Sequence, residues 1–268
     1  MPPSVHSVVD SHCHLDFTAF DDDRAQVLLA SAQKGVSTIV VPGTTCATWH
    51  RTINTCTSAG NSVSLVHALG MHPIFIDQHQ PQHLSELKTL AQKSNARAIG
   101  EIGLDFHRSL NHTKEQKEKQ LLFFEKQLLI AKQLDLPVIV HNRKAHDECL
   151  SLLSQHRVRG GIIHAFNGSF AQAAKYAELG FYLGFGGMLT YDRSTKLHKL
   201  VKSIDIQHIV LETDAPDMTV ENHRGERNSP EYLPDILHAV AQHKSLDPHF
   251  VAVQTTRNVS SCLSLPHD

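Results

Sequence analysis

The sequence predicts an α/β chain folded as a closed (β/α)8 TIM barrel, on three observations. Eight short apolar, β-branched runs alternate with segments of helical spacing. Alternation of this kind gives a parallel sheet through right-handed crossovers, and eight such units fit a chain of 268 residues. The first strand-to-helix turn reads His12-Cys13-His14-Leu15-Asp16, whereas an open doubly wound sheet commonly carries glycines there. No linker, short repeat or low-complexity segment interrupts the pattern, so 1–268 is expected to form a single domain.

The expected strands are Ser7–His12, Ser37–Val41, Val63–Leu69, Arg97–Ile102, Pro137–His141, Gly161–His164, Phe181–Phe185 and His208–Leu211. Asp21, Asp22 and Asp23 favour a helix N-terminus after the first strand, and Gly35 sits where that helix would be capped. Trp49 reads as packing. The clearest helix follows the fourth strand. Thr113-x-x-Gln116 reads as a capping box, and Leu121, Phe124, Leu128 and Ala131 recur on one face. Pro137 prevents that helix from running into the fifth strand. Gly180 marks a helix end before the seventh strand.

Composition narrows the function. Lys plus Arg number 25 and Asp plus Glu 27, a net charge of −2. A protein that grips nucleic acid or membrane through bulk positive charge is thereby excluded. No apolar stretch reaches membrane-spanning length. The five cysteines form no CxxC pair, which suits reduced thiols better than a disulfide framework. MPPSVHSVVD has neither a basic n-region nor a long apolar run, so no signal peptide is expected and the location is read as cytoplasmic. The outlier is histidine, at 21 residues. With ample carboxylates, it directs attention to a metal site.

In a barrel enzyme the chemistry gathers at the C-terminal strand ends. The first expected strand leads into Asp10, His12, His14 and Asp16, the third into His72, and the fourth into Glu101 and Asp105. The fifth ends at His141 and Arg143, the sixth at His164, and the eighth at Glu212 and Asp214. The second and seventh offer no ligand. Residues two apart on a strand share a face. His12 is therefore expected beside His14 with Cys13 turned away, Glu101 beside Asp105, and Glu212 beside Asp214. A lone histidine at a strand end is more often hydrogen-bonded than a ligand. Six strand ends bearing such groups together point to one shared site. His6, His79, His83, His223, His243 and His249 read as surface histidines, and Gly225 to Asn228 as an exposed loop. Lys196, His198, Lys199 and Lys202 read as a solvated helix face. Gly184, Gly186 and Gly187 read as relief of crowding, with phosphate contact as the alternative.

The motifs VVDSHCHLD, GMHP, AIGEIGLDF, LPVIVHNR, GIIHAFNGS and VLETDAPD resemble, in this order, the TatD family of metal-dependent hydrolases. The resemblance covers about residues 8 to 260, and LETDAPDM is similar to a bacterial subgroup of unassigned substrate. It implies a fold similar to the amidohydrolase barrels and a metal-dependent deoxyribonuclease activity. By that resemblance, His12, His14, Glu101 and Asp214 would hold one divalent ion, and Glu101, His141 and His164 a second. Glu101 and Asp214 would be catalytic. His72, Asp105 and Arg143 would meet substrate, with Glu212 a motif neighbour. Two departures stand out: Ala165 and Asn167 replace the usual Cys and Ser or Thr after His164, and the tail lacks the family's phenylalanine after Leu263.

The expected reaction is phosphodiester hydrolysis by an ion-activated water, Asp214 taking its proton and His72 or Arg143 facing the phosphate oxygens. The mixed donors suit Zn, Mn, Fe or Co, while Mg prefers more oxygen. DNA or a small phosphoester is the expected substrate, with no membrane and no obligate protein partner. Two other functions compete with this one. A binuclear amidohydrolase often bridges its ions with a carboxylated lysine, and neither expected strand four nor five contains one. A non-catalytic metal-binding protein would need closed coordination.

Overall fold

A computed structural model of the chain describes residues 7–58 and 62–266. Among them, eight parallel strands pair in sequence order. They are β1 (Val8–Asp10), β2 (Val36–Pro42), β3 (Ser64–Leu69), β4 (Ala98–Asp105), β5 (Val138–Arg143), β6 (Gly161–Ile163), β7 (Phe181–Phe185) and β8 (Ile209–Leu211). The helices between them are α1 (Arg24–Gln33), α2 (Trp49–Thr57), α3 (Pro81–Ser94), α4 (Lys114–Leu134), α5 (His146–His156), α6 (Phe170–Glu178) and α7 (Thr195–Ser203). Two more, α8 (Leu233–Lys244) and α9 (Pro248–Leu263), follow β8. The seam between β8 and β1 is drawn together by Ser11 N–H to the Leu211 carbonyl at 2.9 Å and Asp214 N–H to the His12 carbonyl at 2.8 Å. The result is the expected (β/α)8 barrel, nearly closed. None of the described helices is long and apolar enough to cross a membrane.

Strand pleating sorts the apolar side chains into two layers. Val9, Val40, Ala68, Ala98, Ile139, Ile162 and Val210 fill the barrel, and Val259, Cys262 and Leu263 of α9 pack against them. The alternate residues, such as Val41, Leu69, Ile99, Val140 and Leu183, pack beneath the outer helices. The inward parity of Ile139 carries to His141, that of Ile162 to His164, and that of Val210 to Glu212.

On β4 the parity needs a correction that the chain builds in. Ile99 pairs with Val138, yet Ile102 pairs with Val140, so β4 holds one extra residue in this interval. Such a bulge inverts the facing of everything beyond it. Ala98 lies inside the barrel, whereas Ile102 and Leu104 lie in the outer layer. Glu101 and Asp105 are thereby turned inward together.

The capping box on α4 forms as read: Gln116 N–H donates to Thr113 Oγ1 at 3.2 Å and Thr113 N–H to Gln116 Oε1 at 2.8 Å. Phe124, Leu128 and Ala131 are buried and Leu121 half-buried. Gly35 and Gly180 have φ of 92° and 83° after α1 and α6. Trp49 is buried and donates its indole N–H to the Gly70 carbonyl at 2.8 Å.

Several expectations change. β1 stops at Asp10, not His12, because the Asp10 carboxylate accepts the His12 N–H at 3.1 Å and bends the chain. β6 likewise ends before His164, whereas β8 ends at Leu211 as expected. His79 is buried, its Nε2 2.8 Å from the His72 carbonyl. Asn228 is also buried and donates to the carbonyls of Thr213 and Asp217 at 2.8 and 2.7 Å. The loop read as exposed thus ends in a brace beneath the β8 turn. Asp21 and Asp23 cap nothing with their side chains; they pair with Arg24, Arg51 and Arg227. His6 lies outside the described residues.

Candidate active site

Six strand ends deliver polar side chains to one mouth of the barrel. Glu101, on the inverted part of β4, is buried at its centre. Its Oε2 lies 3.2 Å from His12 Nε2 and 3.4 Å from His14 Nε2. Its Oε1 lies 3.1 Å from His141 Nδ1 and 3.2 Å from His72 Nε2. The carboxylate thus divides its two oxygens between two pairs of imidazoles. Asp214 closes the first group, with Oδ1 3.7 Å from both His12 and His14 Nε2. His164 stands between the groups, its Nε2 3.5 Å from Asp214 Oδ2 and 4.0 Å from Glu101 Oε1. Its ring stacks on His12 with centroids 3.7 Å apart.

Each side chain has a local cause. The bend at Asp10 swings His12 and His14 into the mouth, so their Nε2 atoms approach to 3.3 Å although neither lies on β1. Cys13 is turned away and buried, its thiol directed to the Ala215 carbonyl at 3.7 Å. Asp10 also binds the β8 turn, accepting from the Thr213 hydroxyl at 2.6 Å and the Thr213 N–H at 3.0 Å. Burial pushes the Asp10 carboxyl up to about 7. Glu212 stands behind His164, with Oε1 3.1 Å from Nδ1 and accepting the Ala165 N–H at 2.7 Å. That contact points His164 Nε2 toward the cluster. Gly184 makes room for it, since a Cβ there would lie 2.2 Å from Glu212 Oε2.

Two buried glutamines of α4 complete the frame. Gln120 Oε1 accepts the Asp105 N–H at 2.9 Å, and Gln127 Oε1 the Met71 N–H at 2.7 Å. Sequence reading missed them, together with His79 and Asn228. The available signal was two glutamines seven apart on the apolar face of the clearest helix.

The electrostatics follow from burial and crowding. Burial works against the Glu101 carboxylate, but His72 and His12 outweigh it and hold its pKa well below the usual range. Burial pushes Asp214 up to about 6 against the pull of His164 and His14. Burial drives His72 down to about 4. Burial also opposes charge on His164, yet Glu212 and Asp214 prevail and lift it to about 10.

The donor set fits divalent cations. The groups His12–Glu101–His164, His12–His14–Asp214 and His72–Glu101–His141 each bring ligand atoms within 4.8 Å of one another. Donors bound at about 2.1 Å to one ion lie roughly 3.0–3.4 Å apart, the spacing of the shortest contacts here. Glu101 Oε2 is buried without a hydrogen-bond partner, as an oxygen aimed at a cation would be. The geometry therefore gathers all six residues expected as ligands. It adds His72, expected beside substrate, to the donors around Glu101 Oε1. Asp105 meets the cluster through His141 Nε2, 3.1 Å from its Oδ2. Arg143 is exposed and lines the adjoining cavity.

Comparison with known proteins places this arrangement. The family model described as TatD-related DNase matches residues 9–264. An uncharacterized metal-dependent hydrolase of Escherichia coli K12, YjjV, is 34% identical over 261 residues, covering 96% of this chain and 98% of its own. Another from Bacillus subtilis 168, YabD, is 32% identical over 93% of this chain and 96% of its own. The crystal structure of the TatD homologue YjjV superposes with a TM-score of 0.89 over 97% of this chain and 98% of that one. With the barrel, the family match and the relatives in agreement, the chain belongs to the TatD-related DNase family of metal-dependent hydrolases.

Proposed function

We propose that the chain is a phosphodiesterase of the nuclease type that works with two divalent ions, and that His12, His14, Glu101, His72, His141, His164 and Asp214 supply the ligands. The observation that carries this reading is the division of Glu101, one oxygen to each of two imidazole pairs. A carboxylate so shared would help to hold two divalent ions, which would assist displacement at phosphorus. Bound there, such ions supply Lewis acidity and make water acidic enough to ionise near neutral pH.

The chain's own residues do the rest. Glu101 stays ionised and gives the centre its fixed negative charge. Asp214 lines the cavity, where its carboxylate is placed to take a proton from an attacking water. Glu212 keeps His164 oriented. Arg143, at the cavity edge, faces the phosphate oxygens as charge accumulates on them. No lysine occurs within β4 or β5 that could be carboxylated into a bridge, which favours phosphorus over a C–N bond.

The test is a side-by-side assay of end-labelled single-stranded oligonucleotides and cyclic amides with Mn or Zn added. Cleavage of the oligonucleotide, lost on chelation and in Asp214→Asn, is the expected result. Turnover of the amides with intact oligonucleotide would overturn the proposal.

A further inference from the structure

At the opposite mouth of the barrel, where the strands begin, lies a second cavity of about 630 Å³, within the range of sites that enclose a small molecule. Its floor is the barrel core itself: Val9 of β1, Val66 of β3 and Leu265 after α9 line it and belong to the inner apolar layer. Seven of the residues around that floor are serines or threonines, set at or beside the starts of β1, β2 and β3 and along α9. Among the described residues the wall holds no aromatic ring and no carboxylate, and its one charged side chain is Arg257.

Most of the polar groups in this wall lack protein partners. The Ser37 and Thr256 hydroxyls donate to the carbonyls of Val8 and Ser7 at 3.2 and 3.3 Å. Among the described residues, the hydroxyls of Thr38, Ser64, Ser260 and Ser261 make no hydrogen bond, and the Arg257 guanidinium makes neither a hydrogen bond nor an ion pair. Ser260 decides the matter, because it is only 4% exposed. A helical hydroxyl with no other partner can return to the carbonyl four residues back, as Thr255 does to Val251 at 2.8 Å on the same helix. Ser260 does not. A buried hydroxyl left without a protein partner, in the wall of a cavity, calls for a partner within that cavity. Arg257, Ser260 and Ser261 stand three and four residues apart on α9, so they meet the cavity together.

We infer that this mouth is a second ligand site, for a small polyhydroxylated molecule that carries one anionic group. The hydroxyls of Thr38, Ser64, Ser260 and Ser261 both donate and accept, as the hydroxyls of such a ligand require. Arg257 takes the anion with its fork of N–H donors, which fits a phosphate or a carboxylate alike. The apolar floor meets the C–H face of the carbon skeleton. A wall without a ring offers a nucleobase nothing to stack on, and a wall without a carboxylate offers a cationic ligand no counter-charge. The site stands at the far end of the strands from the histidine cluster, and the inference is independent of which bond is cleaved there.

The test is a methyl NMR titration of the Zn-loaded protein with glucose 6-phosphate, gluconate and glucose. The methyls of Val66, Val253 and Leu265 report this cavity, and those of Leu189 and Leu197 the one beside the histidine cluster, so binding at the two mouths is read separately. At least one of the two anions should shift the first set saturably, at about tenfold lower concentration than glucose, the scale of one charge-assisted hydrogen bond. Whichever anion does so tells phosphate from carboxylate. Arg257→Gln, an exposed change that breaks no ion pair, should abolish the advantage over glucose, and Ser260→Ala should raise the half-saturating concentration about fivefold. Neither variant should change metal content. Shifts confined to Leu189 and Leu197, or an anion advantage that survives Arg257→Gln, overturn the site. Should Arg257→Gln lose its fold by circular dichroism, Ser260→Ala decides alone, and an unchanged half-saturation in it overturns the site.

Discussion

His72 and Asp214 show how position decides the work of a side chain. His72 Nε2 stands as near Glu101 Oε1 as His141 does, at 3.2 against 3.1 Å; its Nδ1 accepts the Ile74 N–H, and His79 holds its backbone carbonyl. Burial holds it neutral down to about pH 4, the state a ligand nitrogen needs. His72→Ala should therefore reduce bound metal, read by elemental analysis after dialysis, by about one ion per chain. Unchanged metal with slower turnover would return His72 to substrate contact. Asp214 is held at a cost. Its carboxyl is raised to about 6, whereas an unfolded aspartate titrates near ~3.9. Between those values the folded chain keeps a proton that the unfolded chain has released, so the stability carried by this group falls as pH rises through that window. Asparagine releases no proton. In metal-free protein, the Tm of Asp214→Asn relative to the unsubstituted chain should rise between pH 4.5 and 7.5, and a flat or falling difference would reject the burial penalty.

The elements explain which parts of the site could be read in advance. His141 and His164 were legible because Ile139 and Ile162 set their parity two residues earlier on β5 and β6. Glu101 was legible by its motif but not by parity, since the extra residue in β4 appears only in the register with β5. His12 and His14 converge for a reason the period-two pattern does not contain, the bend at Asp10. His79, Asn228, Gln120 and Gln127 were hidden because their partners are backbone groups distant in sequence, which no local pattern records. Two substitutions separate stability from assembly of the site. Thr113→Ala removes the α4 cap, which should cost about 1 kcal/mol and lower the Tm by a few degrees without changing metal content or turnover. Gly184→Ala places a Cβ against the flexible end of Glu212, so the carboxylate and not the backbone must yield. The fold should survive by circular dichroism. Metal affinity or kcat should fall about 10- to 100-fold as His164 loses its brace, and an unchanged centre would show that Glu212 does not orient it.

At the scale of the molecule, the barrel separates support from chemistry: α9 packs Val259, Cys262 and Leu263 against the barrel core, and the opposite mouth is left to the histidines and carboxylates. The surface charge bears on how this mouth finds its substrate. With 25 basic and 27 acidic residues, the chain has no general attraction for a polyanion, and affinity must come from the reacting phosphate and the local rim that Arg143 and Lys196 give the cavity beside the cluster. Each phosphate neutralised on a single strand contributes about −0.7 to the slope of log affinity against log salt, so two such contacts set a slope of about −1.4. Measured as log(kcat/KM) for a single-stranded oligonucleotide between 50 and 400 mM KCl, the dependence should be no steeper than that. Lys196→Gln should flatten it by about 0.7, and so should Arg143→Gln. A slope near −5 would require several more phosphate contacts than the rim can make, and would show that substrate lies along a basic surface outside the mouth.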